Sequence, residues 1–271
     1  GAKRVVAEVP FPIADSEEVV EAVLGAVTER TRLVVLDHVT SPTGLVFPIE
    51  KIVATLRERG VETLIDGAHG PGMLDLDLDA IGAGYYTGNH HKWLCAPKAS
   101  GLLHVRRDLQ GDILPTCVSH GYHSPRARSR YLETFDWTGT LDPTPILCVP
   151  AALDFLESIR ALGARRVNQR TMLLAQRRLL AEALEVALPA PDDMIGLLAS
   201  LPLPDGGSAP ASALYPDSLQ LRLYEMARVE VPVIPWPKPP KRLIRLSAAP
   251  YNMVPEYERL LDALPSALAR T

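Results

Sequence analysis

The sequence predicts an α/β protein, with a large domain on a mostly parallel sheet followed by a smaller α+β domain. Three observations carry this reading. Short apolar runs alternate with helical stretches up to about residue 110, at intervals that suit strand–helix–strand crossovers. From Pro145 to about Leu188 the pattern is helical, dense in Ala, Leu and Arg, and broken near Gly163. Beyond it come a Pro/Gly/Ser-rich stretch, two short β-branched runs and a terminal helix, which together suggest a second, smaller core. The division is placed at 1–145 and 146–271.

The elements follow in order. Val5 to Val9 is an apolar run that stops at Pro10, read as a strand. Ser16, Glu17 and Glu18 open an amphipathic helix with Val19, Val20, Val23, Leu24 and Val27 at helical spacing. Thr31 to Asp37 contains LVVL, apolar on successive positions, as in a strand covered on both faces. Pro48 leads into a helix over Ile49 to Arg59 that ends at Gly60. Glu62 to Asp66, a run within Ala80 to Thr87, and Gly101 to Val105 read as further strands. Residues 202–218 read as a surface loop, Arg228 to Val233 and Leu243 to Ser247 as strands, and a last helix begins near Pro255.

Composition narrows the function. Of 271 residues, 47% are hydrophobic and 22% charged, so the chain can bury a core. The net charge of −4 argues against a nucleic-acid binder, which would carry a basic face. No apolar run reaches membrane-spanning length and the first residues hold no apolar leader core, so no membrane partner is expected. Three scattered cysteines, Cys95, Cys117 and Cys148, suit a reducing, cytoplasmic setting better than a disulfide framework.

Ligands of open α/β sheets sit beyond the carboxyl ends of the strands. Three loops leave such ends with unusual polar groups: HVTSPTG at 38–44, DGAHG at 66–70 and TGNHHKW at 87–93. Asp66 is poorly placed unless something cationic meets it, and Lys92 lies in a segment too irregular for a solvated face. An acid at one strand end and a lysine at the next suggest a pyridoxal-phosphate site. There the lysine forms a Schiff base, and the acid pairs with the ring nitrogen. Taken singly, Asp66 reads as a turn former and Lys92 as a snorkelling surface residue. His69, His90, His91 and Cys95 do not have the spacing of a zinc set, so no metal is expected. No G-x-S-x-G elbow, G-x-G-x-x-G or phosphate loop occurs.

The segments HVTSPTGLVFPI, LIDGAHGPGML and YYTGNHHKWLCAPKASGLLHV, with FDWTGTLDPTP and IRLSAAPYN later, resemble the class V aminotransferase family, in its isopenicillin N epimerase-like branch. The resemblance implies pyridoxal-phosphate fold type I, and that the large domain lacks its N-terminal part, including a phosphate-cradling loop. It implies Lys92 as the Schiff-base lysine and acid/base at the α-carbon. Asp66 would hold the ring nitrogen, and His69 would bond near the phenolic oxygen. His91 and Asn89 would reach the phosphate. Gly139 and Thr140 would serve the phosphate of a neighbouring subunit, and hence a homodimer with shared sites. Arg245 would clamp the carboxylate of a small amino-acid-like substrate; without the family it reads as an outward charge on a strand. Epimerisation, transamination and β-lyase chemistry would all use this set. Ser41 stands where desulfurase relatives carry an asparagine, and no cysteine-bearing mobile loop is evident, which counts against a desulfurase. A non-catalytic remnant of the fold is the reading of another class.

Overall fold

A computed structural model describes residues 1–161, 165–207 and 217–269. By their contacts these fall into two units, one of residues 29–37 and 49–155, the other of residues 1–28, 38–48 and 156–271.

The first unit is built on a four-stranded sheet of β1 (Leu33–Asp37), β2 (Glu62–Asp66), β3 (Tyr85–Asn89) and β4 (Gly101–Val105), in that spatial order. The first three strands are parallel and β4 is antiparallel to β3. Helix α2 (Ile49–Glu58) connects β1 to β2 and buries Ile49, Ile52, Val53 and Leu56 on one stripe. Spacing at i, i+3, i+4 and i+7 gives that stripe, and each such side chain withdrawn from water contributes about 1.5–3 kcal/mol. The helix stops at Gly60, whose φ of 68° lies in the left-handed region. A short helix, α3 (Leu78–Ile81), is capped by the Asp77 carboxylate, which accepts from Ala80 N.

β1 departs from the sequence expectation. Its apolar run was expected to be covered on both faces, yet Leu33 and Val35 are 47% and 63% exposed. The reason is position: β1 is at the edge of the sheet and pairs only with β2 among the described residues.

The second unit carries an antiparallel sheet of β5 (Leu198–Leu203), β6 (Val233–Pro235) and β7 (Arg242–Ser247), with β7 in the centre. Its helices include α1 (Glu17–Gly25), α7 (Arg165–Ala183), α8 (Ser218–Ala227) and α9 (Val254–Leu268). Leu173, Leu180, Leu198, Leu201, Leu219, Leu223, Ile244 and Leu260 form its core. Helices α4 (Arg130–Asp136) and α5 (Thr144–Leu147) belong to the first unit, and the residues of α6 (Val149–Ala161) are divided between the two.

Four local expectations need correction. Residues 5–9 join no sheet, and Val5 and Val6 are exposed. The loop expected at 202–218 begins later, because β5 runs to Leu203; residues 208–216 lie outside the described residues. The prolines of LPLP hid β5, but Pro202 is tolerated because β5 is an edge strand that can forgo one outward N–H. The strand expected from Arg228 starts at Val233, since Arg228 adopts φ 55° and ends α8. Helix α8 itself was not expected; Asp217 caps it through Leu219 N. The expected break near Gly163 lies outside the described residues.

Candidate active site

The parallel strands bring their carboxyl ends to one edge. Asp37 and Asp66 are register partners at the ends of β1 and β2, and Thr87 is the partner of Asp66 near the end of β3. Register partners of a parallel ladder project from the same face, so two carboxylates stand side by side. Burial, and next the charge of Asp66, hold the Asp37 carboxyl above the ordinary range, while a charged Lys92 would pull it back. Asp66 is exposed; its Oδ1 accepts from Ala68 N at 3.0 Å, and it makes no ion pair among the described residues. Sequence reasoning passed over Asp37, although it ends its strand on an acid just as Asp66 does.

The DGAHG turn is shaped by Tyr86. A side chain on Gly67 or Gly70 would fall on the Tyr86 phenol, so glycine at both positions lets the turn close over that buried ring. Burial, then the charges of Glu50 and Asp66, hold the phenol in its protonated form. The turn presents His69, 8% exposed, to the next strand end.

Lys92 follows β3 in a tight turn. Cys95 N donates to Lys92 O, Ala96 N to His90 O, and His90 N to Ser100 O. His90 Nδ1 lies 3.3 Å from Ser100 Oγ, and burial with the charge of His91 lowers the His90 pKa. The turn puts Lys92 Nζ 3.3 Å from His69 Nε2, and the Trp93 indole N–H donates to His69 Nδ1 at 3.1 Å. Gly72, at φ 85°, permits this approach, because a Cβ there would sit inside the Trp93 carbonyl. Trp93 was quoted in the sequence motif but given no role; its adjacency to Lys92 was the available signal.

Arg245 lies on β7 in the other unit. Its Nη1 donates to Ser41 O at 2.6 Å and to Ser41 Oγ at 3.0 Å, while Nε is buried without a partner. The neighbouring strand assists: Ser200, register partner of Arg245, donates from Oγ to Pro42 O at 2.7 Å. Val46 N donates to Met194 O, and a Cβ on Gly44, at φ 72°, would come within 3.0 Å of the Leu198 backbone. The HVTSPTG loop is thus laid on the sheet that carries Arg245. Burial lowers the Arg245 pKa, and no carboxylate of the described residues pairs with it. A guanidinium with Nη1 anchored to the loop and no ion pair among the described residues keeps donors that could meet a carboxylate. Nothing in the sequence pointed to Ser200.

The remaining expected residues are placed individually. Asn89 ends β3 half-buried, and His91 is exposed. Gly139, at φ 149°, and exposed Thr140 lie in the turn between α4 and α5. The structure therefore brings Asp66, His69 and Lys92 to one edge, with Asn89 and His91 in the same strand end. Arg245 belongs to the second unit. Cys95 has its thiol pKa raised by burial and its Sγ near Trp93 O, an environment of an unreactive thiol. No group of three His, Cys, Asp or Glu among the described residues could hold a metal ion.

These residues fit pyridoxal phosphate. Asp66 offers a carboxylate at a strand end, and Lys92 offers an amine 3.3 Å from the His69 imidazole.

Residues 3–197 match the family Aminotransferase class-V. The chain is 39% identical over 269 residues to isopenicillin N epimerase of Amycolatopsis lactamdurans, covering 93% of this chain and 64% of that protein. It is 31% identical over 277 residues to a probable chloroplastic L-cysteine desulfhydrase of Arabidopsis thaliana, covering 95% of this chain and 56% of that protein. Among solved structures, a C-DES variant with glycine covalently linked to its pyridoxal-phosphate cofactor superposes with a TM-score of 0.68 at 23% identity, over 90% of this chain and 63% of that one. The chain thus spans less than two thirds of the length of these relatives. The likeness in structure establishes the α/β fold of pyridoxal-phosphate fold type I. By the extent of the family match and the identity to the epimerase, the chain belongs to the class V aminotransferase family.

Proposed function

We propose that this chain forms the cofactor-binding and substrate-carboxylate parts of a pyridoxal-phosphate enzyme acting at the α-carbon of an amino acid or derivative, with isopenicillin N epimerase-like chemistry. The observation that carries it is the conjunction at one sheet edge of Asp66, ending β2, and Lys92, following β3 and bonded to His69. When bound, pyridoxal phosphate supplies an electron sink for the pair left at the α-carbon when its proton departs.

The chain's own residues do the rest. Lys92 Nζ anchors the cofactor and is the base that takes the α-proton. Asp66 holds the proton on the ring nitrogen, and His69 lies beside the phenolic oxygen. Asn89 and His91 serve the phosphate. Arg245 takes the substrate carboxylate. Return of the proton to the opposite face inverts the centre. Loss of a β-substituent instead gives a lyase, which the likeness to an L-cysteine desulfhydrase supports as the second reading. The half-buried thiol of Cys95, its pKa raised by that burial, speaks against a persulfide-forming cysteine there.

The exposed apolar side chains Trp137, Leu141, Ile146 and Leu147 support a homodimer in which Gly139 and Thr140 serve the partner's phosphate. Light scattering of the cofactor-loaded protein reads this: a dimer is expected, and a monomer at micromolar concentration contradicts it. Product analysis tests the reaction. Inversion of an amino-acid substrate without ammonia release identifies the epimerase; an α-keto acid with ammonia identifies the lyase; neither, across amino acids, removes the reading.

A further inference from the structure

We propose that Trp93 is a positioning residue that sets the tautomer of His69 and thereby presents Lys92 as a nucleophilic amine. The indole nitrogen of tryptophan can only donate. Its bond to His69 Nδ1 at 3.1 Å therefore fixes Nδ1 as the unprotonated nitrogen, and the ring hydrogen resides on Nε2. Nε2 is the atom 3.3 Å from Lys92 Nζ. An N–H directed at an amine nitrogen forms a hydrogen bond only where that nitrogen has a lone pair to accept it. An ammonium at the same place would bring two donors together. The tautomer thus selects the lysine form able to attack a carbonyl carbon.

The surroundings make the selection rigid. Trp93 and His69 are 7% and 8% exposed, so neither ring exchanges its partner for water. Gly72 removes the side chain that would displace the Trp93 backbone. The charge of Asp37, at the end of β1, favours the ammonium form of Lys92, and the tautomer of His69 opposes it. The inference rests on the reading of Lys92 as the cofactor lysine, but its two readouts do not.

The first readout is the protonation of the His69 ring nitrogens by nitrogen-15 NMR of the cofactor-free protein. The expected result is a protonated Nε2 and a bare Nδ1; a protonated Nδ1 overturns the proposal whatever the variants do. The second is the rate at which limiting formaldehyde and cyanoborohydride methylate Lys92, followed by peptide mass mapping with the exposed Lys51 and Lys98 as internal standards. In Trp93→Phe, which keeps the ring and loses the donor, we expect Lys92 labelling to fall roughly fivefold to tenfold, the worth of one hydrogen bond, with the standards unchanged. Unchanged Lys92 labelling in the folded variant overturns the proposal. Failure of pyridoxal phosphate to attach at Lys92, with the tautomer as expected, instead overturns only the functional reading.

Discussion

Arg245→Lys tests the carboxylate clamp. In the structure Nη1 carries two bonds to Ser41, at 2.6 and 3.0 Å, and the buried Nε has no partner. An ammonium can hold one of these acceptors or meet a carboxylate as a point charge, but cannot do both with a planar fork. The variant therefore forgoes about one charge-assisted hydrogen bond to the ligand, worth about 1.5–3 kcal/mol. At 1.4 kcal/mol per decade this is a loss of about 10- to 150-fold in affinity. The assay is an absorbance titration of the cofactor-loaded protein with L-alanine and, separately, with ethylamine, which has the amine but no carboxylate. We expect alanine binding to weaken by the stated factor while ethylamine binding stays within about twofold. Equal weakening of both ligands would mean that Arg245 only shapes the HVTSPTG loop, and no change in either would refute the clamp.

Three further outcomes follow from the geometry. Ser200→Ala removes the bond to Pro42 O from a side chain 2% exposed, so urea unfolding is expected to register a loss of about 1–3 kcal/mol; a value near zero would show that the loop is not held there. Gly72→Ala combines a left-handed φ of 85° with a collision on the Trp93 carbonyl, and about 2–6 kcal/mol of destabilisation is expected in the same measurement; tolerance of alanine would contradict the close approach. For Asp37 the sign is set by a raised folded-state pKa. The native protein holds that proton more tightly than the unfolded chain, so stability present below the ordinary value of 3.8 is lost as pH rises through the folded value. Asp37→Asn is therefore expected to raise Tm at about pH 7 and not at about pH 3, and a variant less stable at pH 7 would refute the assignment.

The placement of much of the candidate site was legible because its residues sit close in sequence to the strand ends. Asp66 and Lys92 follow apolar runs that could only be strands, and parallel strands put their ends together whatever their separation along the chain. The antiparallel β4 was found as a strand, since Gly101 to Val105 has the composition of one. What escaped is non-local. Ser200 matters only because β5 and β7 pair in a register that sets it beside Arg245, and nothing about a serine between Ala199 and Leu201 says so. The exposure of Val35 depends on its strand lying at an edge, a property of neighbours rather than of its own residues. Asp37 carried the same local signal as Asp66, and its significance lay in the register that makes the two carboxylates neighbours. The strand expected from Arg228 failed for a local reason: a left-handed turn at Arg228 ends a helix that amphipathic spacing alone did not reveal.

The most direct test of the central claim is chemical. Pyridoxal phosphate is added to the purified protein, the mixture is reduced with borohydride, and the peptides are mapped by mass. We expect one phosphopyridoxyl group per chain, on Lys92, and its loss in Lys92→Ala. Reduction that leaves Lys92 unmodified, or that spreads over surface lysines such as Lys51 and Lys98 without preference, would contradict the assignment of this edge as the cofactor site.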